Sequence, residues 1–196
     1  MSLQELREKL EIRELAVIDH RNGERPFFTE GRVAPRLWPT NAKIEGWWDG
    51  CCEPVNPGGH AAWGALLKVN GEIVMADGRY CGEGSGMSNN VAEYTGVLCL
   101  LRKIEELMRD GLRGIIKLRG DSKLCVMQLM GRWRVKQGLY IPIYRKAKDA
   151  LTQVHELCEG NIRLQWVPRE QNSECDVLSK EQLRKRAVCF RIQPEK

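Results

Sequence analysis

The sequence predicts an α/β domain: a mixed five-stranded sheet, three antiparallel strands followed by two parallel ones, flanked by helices. Three observations carry the prediction. Two strand-like runs, Ala62 to Val69 and Glu72 to Arg79, are separated by Asn70-Gly71, the strongest short-range hairpin signal. Val97, Leu100, Ile104 and Leu107 follow Glu93 at offsets of four, seven, eleven and fourteen, tracing one face of a helix. Beyond that helix, helix-period and strand-period segments alternate, as they do in a sheet whose parallel strands are reached by crossovers.

Taken in order, residues 1–42 form an N-terminal extension. Leu3, Leu6 and Leu10 fit a short amphipathic helix over residues 2–15, Asn22-Gly23 marks a turn, and Pro26, Pro35 and Pro39 keep the chain beyond that turn irregular. Acidic and basic residues balance through Glu45, eight of each, and no motif stands out. A protein partner could be met through this segment. Ile44 to Gly50 reads as the first strand, ending in a turn, and Cys51 to Gly59, with Pro54 and Pro57, as a loop. The hairpin of strands two and three comes next. A connection through Gly82, Gly84 and Gly86 then leads to a helix from about Val91 to Arg109, stopped by Gly111. Gly114 to Arg119 is a strand, parallel to the first, and a helix runs from Asp121-Ser122 to about Met130. Ile141 to Cys158 is helical, Asn161 to Val167 a strand, and Glu174 to Lys185 the last helix. The domain is thus expected over residues 43–186, with 187–196 a tail.

Composition sets the class. With 196 residues, 42% hydrophobic and 29% charged, the chain can bury a sizeable core as an ordinary globular protein. No apolar run approaches the roughly 18 residues of a membrane span, and Met1 to Glu8 is too acidic and too weakly apolar for a signal peptide. A cytoplasmic protein, monomeric and without a membrane partner, is expected. Eight cysteines lie scattered with no Cys-x-x-Cys pair, and His20, His60 and His155 are not placed to complete zinc sites. Free thiols in a reducing compartment are expected. The net charge of +5 is uneven: from Lys123 to Lys148 there are seven basic residues and no acidic one, with Trp133, Tyr140 and Tyr144 interleaved. Such a run can be a solvated face. It also suits a nucleic-acid backbone and its sugars.

Four acids stand at element ends. Asp49 closes the first strand, Glu93 opens the long helix, Asp121 follows the parallel strand, and Asp176 lies in the first turn of the last helix. Each has a local explanation: Asn90 and Glu93 as a capping box, Ser173 and Asp176 as another, Asp49-Gly50 as a turn, and Asp121 as a strand end. Together they point elsewhere, because strand ends and helix starts converge at one edge of such a sheet. Carboxylates a few ångströms apart cannot all stay ionised and unpaired. Divalent cations resolve the conflict, and Mg²⁺ favours carboxylates together with a substrate phosphate.

Four blocks of sequence, in order and spacing, resemble type 1 ribonuclease H over residues of about 43–186. They are Asp49-Gly50 with Asn56-Pro57-Gly58-Gly59; Ser88-Asn89-Asn90-Val91-Ala92-Glu93-Tyr94; Gly120-Asp121-Ser122; and Trp166-Val167-Pro168-Arg169-Glu170-Gln171-Asn172-Ser173-Glu174-Cys175-Asp176. The Arg-Glu-x-Asn loop is most similar to the short-loop bacterial and archaeal branch. The resemblance implies the ribonuclease H-like fold and an endonuclease that cuts the RNA strand of RNA–DNA hybrids. It implies two Mg²⁺ ions, with Mn²⁺ as a substitute, held by Asp49, Glu93, Asp121 and Asp176, and products ending in 5′-phosphomonoesters.

The same resemblance implies the substrate contacts. Asn56, Asn89 and Asn90 match positions that meet the hybrid's minor groove, where only RNA presents a 2′-OH. Gly50, Cys52, Ser88, Ser122, Arg169 and Asn172 border the same surface, and Arg132, Trp133, Arg134 and Lys136 lie where the DNA strand is held. Three departures accompany the match. Many relatives carry a histidine in the loop before the last aspartate, thought to help product leave, whereas Arg169-Glu170 stand here. The loop after Asp49 is about one residue longer than usual. Lys123 replaces a residue that is often neutral, which should tighten phosphate contact. Two other readings compete: an inactive ribonuclease H-like binding module in a larger assembly, and a 3′–5′ exonuclease of the same superfamily. Four intact acids argue against the first, since a pure binder gains nothing from a charge cluster that repels phosphate. Exonucleases of that kind show Asp-x-Glu in the first strand, where this chain has Asp49-Gly50-Cys51.

Overall fold

A computed structural model describes residues 38–191, so the helix expected over residues 2–15 lies outside the described part. In chain order the elements are β1 (Ala42–Glu53), β2 (Gly58–Val69), β3 (Glu72–Gly84), α1 (Asn89–Arg109), β4 (Gly114–Gly120), α2 (Lys123–Leu129), α3 (Ile141–Leu157), β5 (Ile162–Trp166) and α4 (Ser173–Arg184). A single 3-10 turn, Arg169–Gln171, precedes α4. The sheet order is β3-β2-β1-β4-β5. β1 to β3 pair antiparallel, and β1/β4 and β4/β5 pair parallel, which is the predicted mixed sheet. The hairpin turn falls at Asn70-Gly71, both with positive φ, and Asn70 Oδ1 also accepts from the Lys43 backbone N–H.

Two boundaries differ from expectation. Cys51, Cys52 and Glu53 continue β1, paired with Ala62, Ala61 and His60, where a loop was expected. The two thiols are buried and behave as small apolar side chains, so the turn waits for Pro54. β3 likewise runs on to Gly84, because glycine weakens a ladder without forbidding it. All eight cysteines are free.

The core has two layers around the sheet. On one face α1 and α3 bury Ile44, Trp48, Leu67, Leu100, Ile104 and Ile116. On the other, α4 packs Cys175, Val177 and Leu178 against Leu66, Ala76 and Trp47. Gly64 decides how closely α4 sits. A Cβ there would fall 2.5 Å from the Cys175 carbonyl oxygen and 2.7 Å from the Ser179 nitrogen, so the helix backbone rests directly on β2. Val188 and Phe190, beyond α4, fold back onto Cys51, Ala62 and Leu183.

Candidate active site

The parallel pairing of β1 and β4 ends at Trp48 opposite Gly120, so Asp49 and Asp121 emerge from neighbouring strands at the same level. Glu93 arrives from above. Ser88 is the N-cap of α1, its hydroxyl accepting from the Val91 N–H at 3.3 Å. Glu93 therefore lies beyond N3 and cannot complete a capping box with Asn90. Gly50 lets the first turns of α1 close onto β1, since a Cβ there would stand 2.3 Å from the Glu93 nitrogen. One carboxylate oxygen each from Asp49, Glu93 and Asp121 consequently lies within 4.8 Å of the others.

The electrostatics of this trio are unfavourable as they stand. Burial, then the nearby Asp121 charge, pushes the Asp49 carboxyl up to about 7. Burial and the Asp49 and Asp121 charges push Glu93 well above the carboxylate range, and burial raises Asp121 as well. Glu93 Oε2 is buried without a hydrogen-bond partner. Two neighbours hold the other members. The Ser179 hydroxyl donates to Asp49 Oδ2 at 2.5 Å, and Asn172 Nδ2 donates to the Trp48 carbonyl at 2.7 Å and to Asp121 Oδ1 at 3.2 Å. Oxygens on opposite sides of an octahedral Mg²⁺ are about 4 Å apart. A 4.8 Å cluster with an orphaned oxygen and three raised carboxyls therefore fits a divalent cation after a small closure.

Asp176 stands at the rim. Asn172, not Ser173, precedes the first turn of α4, so the second expected capping box does not form. Asp176 adds to the potential felt by Asp49, while its own oxygens are engaged by Arg169 and by Lys180, the latter at 2.8 Å. The fourth acid is thus beside the trio and outside the 4.8 Å group.

The expected substrate contacts divide by exposure. Asn56 is exposed, its side-chain oxygen accepting from the Asn89 N–H, and Asn90 is half-buried nearby. Arg132, Trp133, Arg134 and Lys136 project between α2 and α3, all but Val135 of that stretch exposed. Lys123 sits over the Trp166 ring at 5.8 Å, whose Nε1–H donates to the Asp121 carbonyl. Ser122 caps α2. Three expected contact residues are turned inward instead. Cys52 is 1% exposed with its thiol on the Val55 carbonyl, Asn172 is 1% exposed and braces Asp121, and Ser88 is occupied as a helix cap. Tyr140 and Tyr144 also leave the basic surface: they pack on Tyr94, at 5.1 and 5.5 Å between ring centroids, and the Gln128 side chain accepts from the Tyr94 hydroxyl and donates to that of Tyr140. Ser179 was missed. Its one signal was the spacing, three residues beyond Asp176 on the same helix.

A family model described as reverse transcriptase-like matches residues 48–182, from the strand that carries Asp49 to the helix that carries Asp176. The chain belongs to this reverse transcriptase-like family. Its relatives include ribonucleases H, as the four blocks imply. The Bifunctional protein Rv2228c of Mycobacterium tuberculosis is 32% identical over 126 residues, 63% of this chain and 31% of that protein. Ribonuclease HI of Halobacterium salinarum is 30% identical over 143 residues, 72% of this chain and 64% of that protein. The chain thus spans about a third of the mycobacterial relative. Among solved structures, the N-terminal ribonuclease H domain of Rv2228c superposes with a TM-score of 0.59 at 28% identity, covering 70% of this chain and 96% of that one. LC11-RNase H1, from compost and solved with an RNA/DNA hybrid, gives 0.59 at 27% identity, covering 74% and 100%. The five-stranded mixed sheet of this family member is therefore the ribonuclease H fold.

Proposed function

We propose that the chain is a metal-dependent endonuclease that hydrolyses the RNA strand of RNA–DNA hybrids. The buried trio of Asp49, Glu93 and Asp121 carries the reading, since three carboxylates within 4.8 Å are costly unless cations are bound. Together with Asp176 they would hold two Mg²⁺ ions, or Mn²⁺ in their place. These ions supply charge neutralisation at the scissile phosphate and an activated water. Attack on phosphorus with departure of the 3′ oxygen leaves a 5′-phosphomonoester and a 3′-hydroxyl.

The protein's own part is orientation and recognition. Ser179 and Asn172 fix Asp49 and Asp121 from behind. Arg169, with an exposed side chain paired to Asp176, stands in the loop where many relatives carry histidine, and with Asp176 holding a cation its guanidinium would be available to a phosphate. Asn56, Asn89 and Asn90 offer amides toward the minor groove, where a 2′-OH both donates and accepts. Arg132, Arg134 and Lys136 meet the DNA phosphates, with Trp133 against deoxyribose. The eight free thiols suit a reducing, cytoplasmic setting.

Incubation of the full chain with an end-labelled RNA–DNA duplex and Mg²⁺ or Mn²⁺ tests this. RNA cleavage that leaves single-stranded RNA and duplex DNA intact, and that disappears in D121N, is expected. Hybrid bound but uncut with either metal would instead identify an inactive binding module.

A further inference from the structure

Ser179 is fully buried, yet its hydroxyl reaches a partner beyond its own helix. A buried helical serine ordinarily bonds back to a carbonyl three or four residues earlier, and the Asp176 carbonyl is available at 3.1 Å. A hydroxyl has one proton, and the Asp49 carboxylate, at 2.5 Å, is the stronger acceptor. The geometry depends on Gly64, which lies directly opposite Asp49 in the β1–β2 register. Having no side chain there lets the α4 backbone rest on β2, within reach of a side chain as short as serine.

We propose that Ser179 is a positioning residue of the metal site: its buried hydroxyl locks Asp49 Oδ2 and, through α4, sets Asp176 against Asp49. With Oδ2 held, rotating the carboxylate costs this bond, which favours one direction for Oδ1. Because Ser179 and Asp176 share the first two turns of α4, the same bond fixes the helix against β1. The inference rests on Asp49 being a metal ligand.

The test is Mn²⁺ binding to the full chain without substrate, followed by electron paramagnetic resonance of free Mn²⁺, for the parent, S179A, S179T and D49N. Loss of a partner that orients a ligand typically lowers metal affinity about 10- to 100-fold. S179A should show that loss while keeping the parent's circular dichroism, S179T should recover most of it, and D49N should bind weakest. In hybrid cleavage at saturating metal, S179A should lower kcat and leave KM for the hybrid unchanged. Parent-like Mn²⁺ affinity in S179A, with D49N impaired, overturns the role of Ser179. Parent-like affinity in D49N overturns the metal-site reading instead. Should S179A not fold, S179C, similar in size with a weak donor, is judged by the same affinity.

Discussion

Replacing Asp49 with Asn should stabilise the metal-free protein while abolishing cleavage. In the folded chain, burial and then the Asp121 charge raise the Asp49 carboxyl from 3.8 to about 7. In the unfolded chain it returns to its ordinary value. Between those two values the native state holds a proton that the unfolded state has lost, so stability falls as pH climbs from about 4 to about 7 and stays low above. At 1.36 kcal/mol per pH unit, the full span corresponds to about 4 kcal/mol. An amide cannot ionise and escapes this cost, and its oxygen can still accept from Ser179. For a domain of this size, about 2–4 °C accompanies each kcal/mol, which predicts a Tm about 10 °C above the parent at pH 8 in EDTA. At pH 4.5 the difference should shrink to about 1 kcal/mol. Excess Mg²⁺ at pH 8 should raise the parent and leave the variant nearly still. Differential scanning calorimetry at both pH values decides it. A variant no more stable than the parent at pH 8, or a gap that does not change with pH, would refute the claim that the trio is strained without a cation.

Three further outcomes are expected. Gly50→Ala should lower both Tm and cleavage, since its Cβ would sit 2.3 Å from the Glu93 backbone nitrogen, and neither backbone can yield without displacing Glu93; thermal melts and hybrid cleavage check it. Asn172→Ala leaves the Trp48 carbonyl and Asp121 Oδ1 without their donor, a loss of about 1–3 kcal/mol in urea unfolding together with slower cleavage. Neutralising Arg132, Arg134 and Lys136 together should weaken hybrid binding and reduce the slope of log K against log salt by about 2–3, as for three lost phosphate contacts; an unchanged slope removes that tract from the interface.

Much of the fold was legible in the chain. Asn70-Gly71, the Glu93-headed stripe and the later alternation are local patterns, and backbone sterics and side-chain periodicity act over a few residues. The acids were legible for the same reason, although Asp49 proves to lie within β1, at the level where its pairing with β4 stops, and not at the strand's end. Boundaries were less so: Cys51 and Cys52 read as loop because Pro54, Pro57 and two glycines follow closely, and only pairing and burial against Ala61 and Ala62 made them strand.

What the sequence determined by itself was the order of elements, the residue types at their ends and the family blocks they form. The tertiary structure alone decided which side chains face which. It turned Asn172, Cys52 and Ser88 inward, took Tyr140 and Tyr144 onto Tyr94, and placed Asp176 between Arg169 and Lys180 at the rim. It also delivered Ser179 to Asp49 across 130 residues of chain. Hydrogen-bond partners so far apart in sequence are set by how closely a helix can approach a sheet, and here that distance hangs on the missing side chain of Gly64.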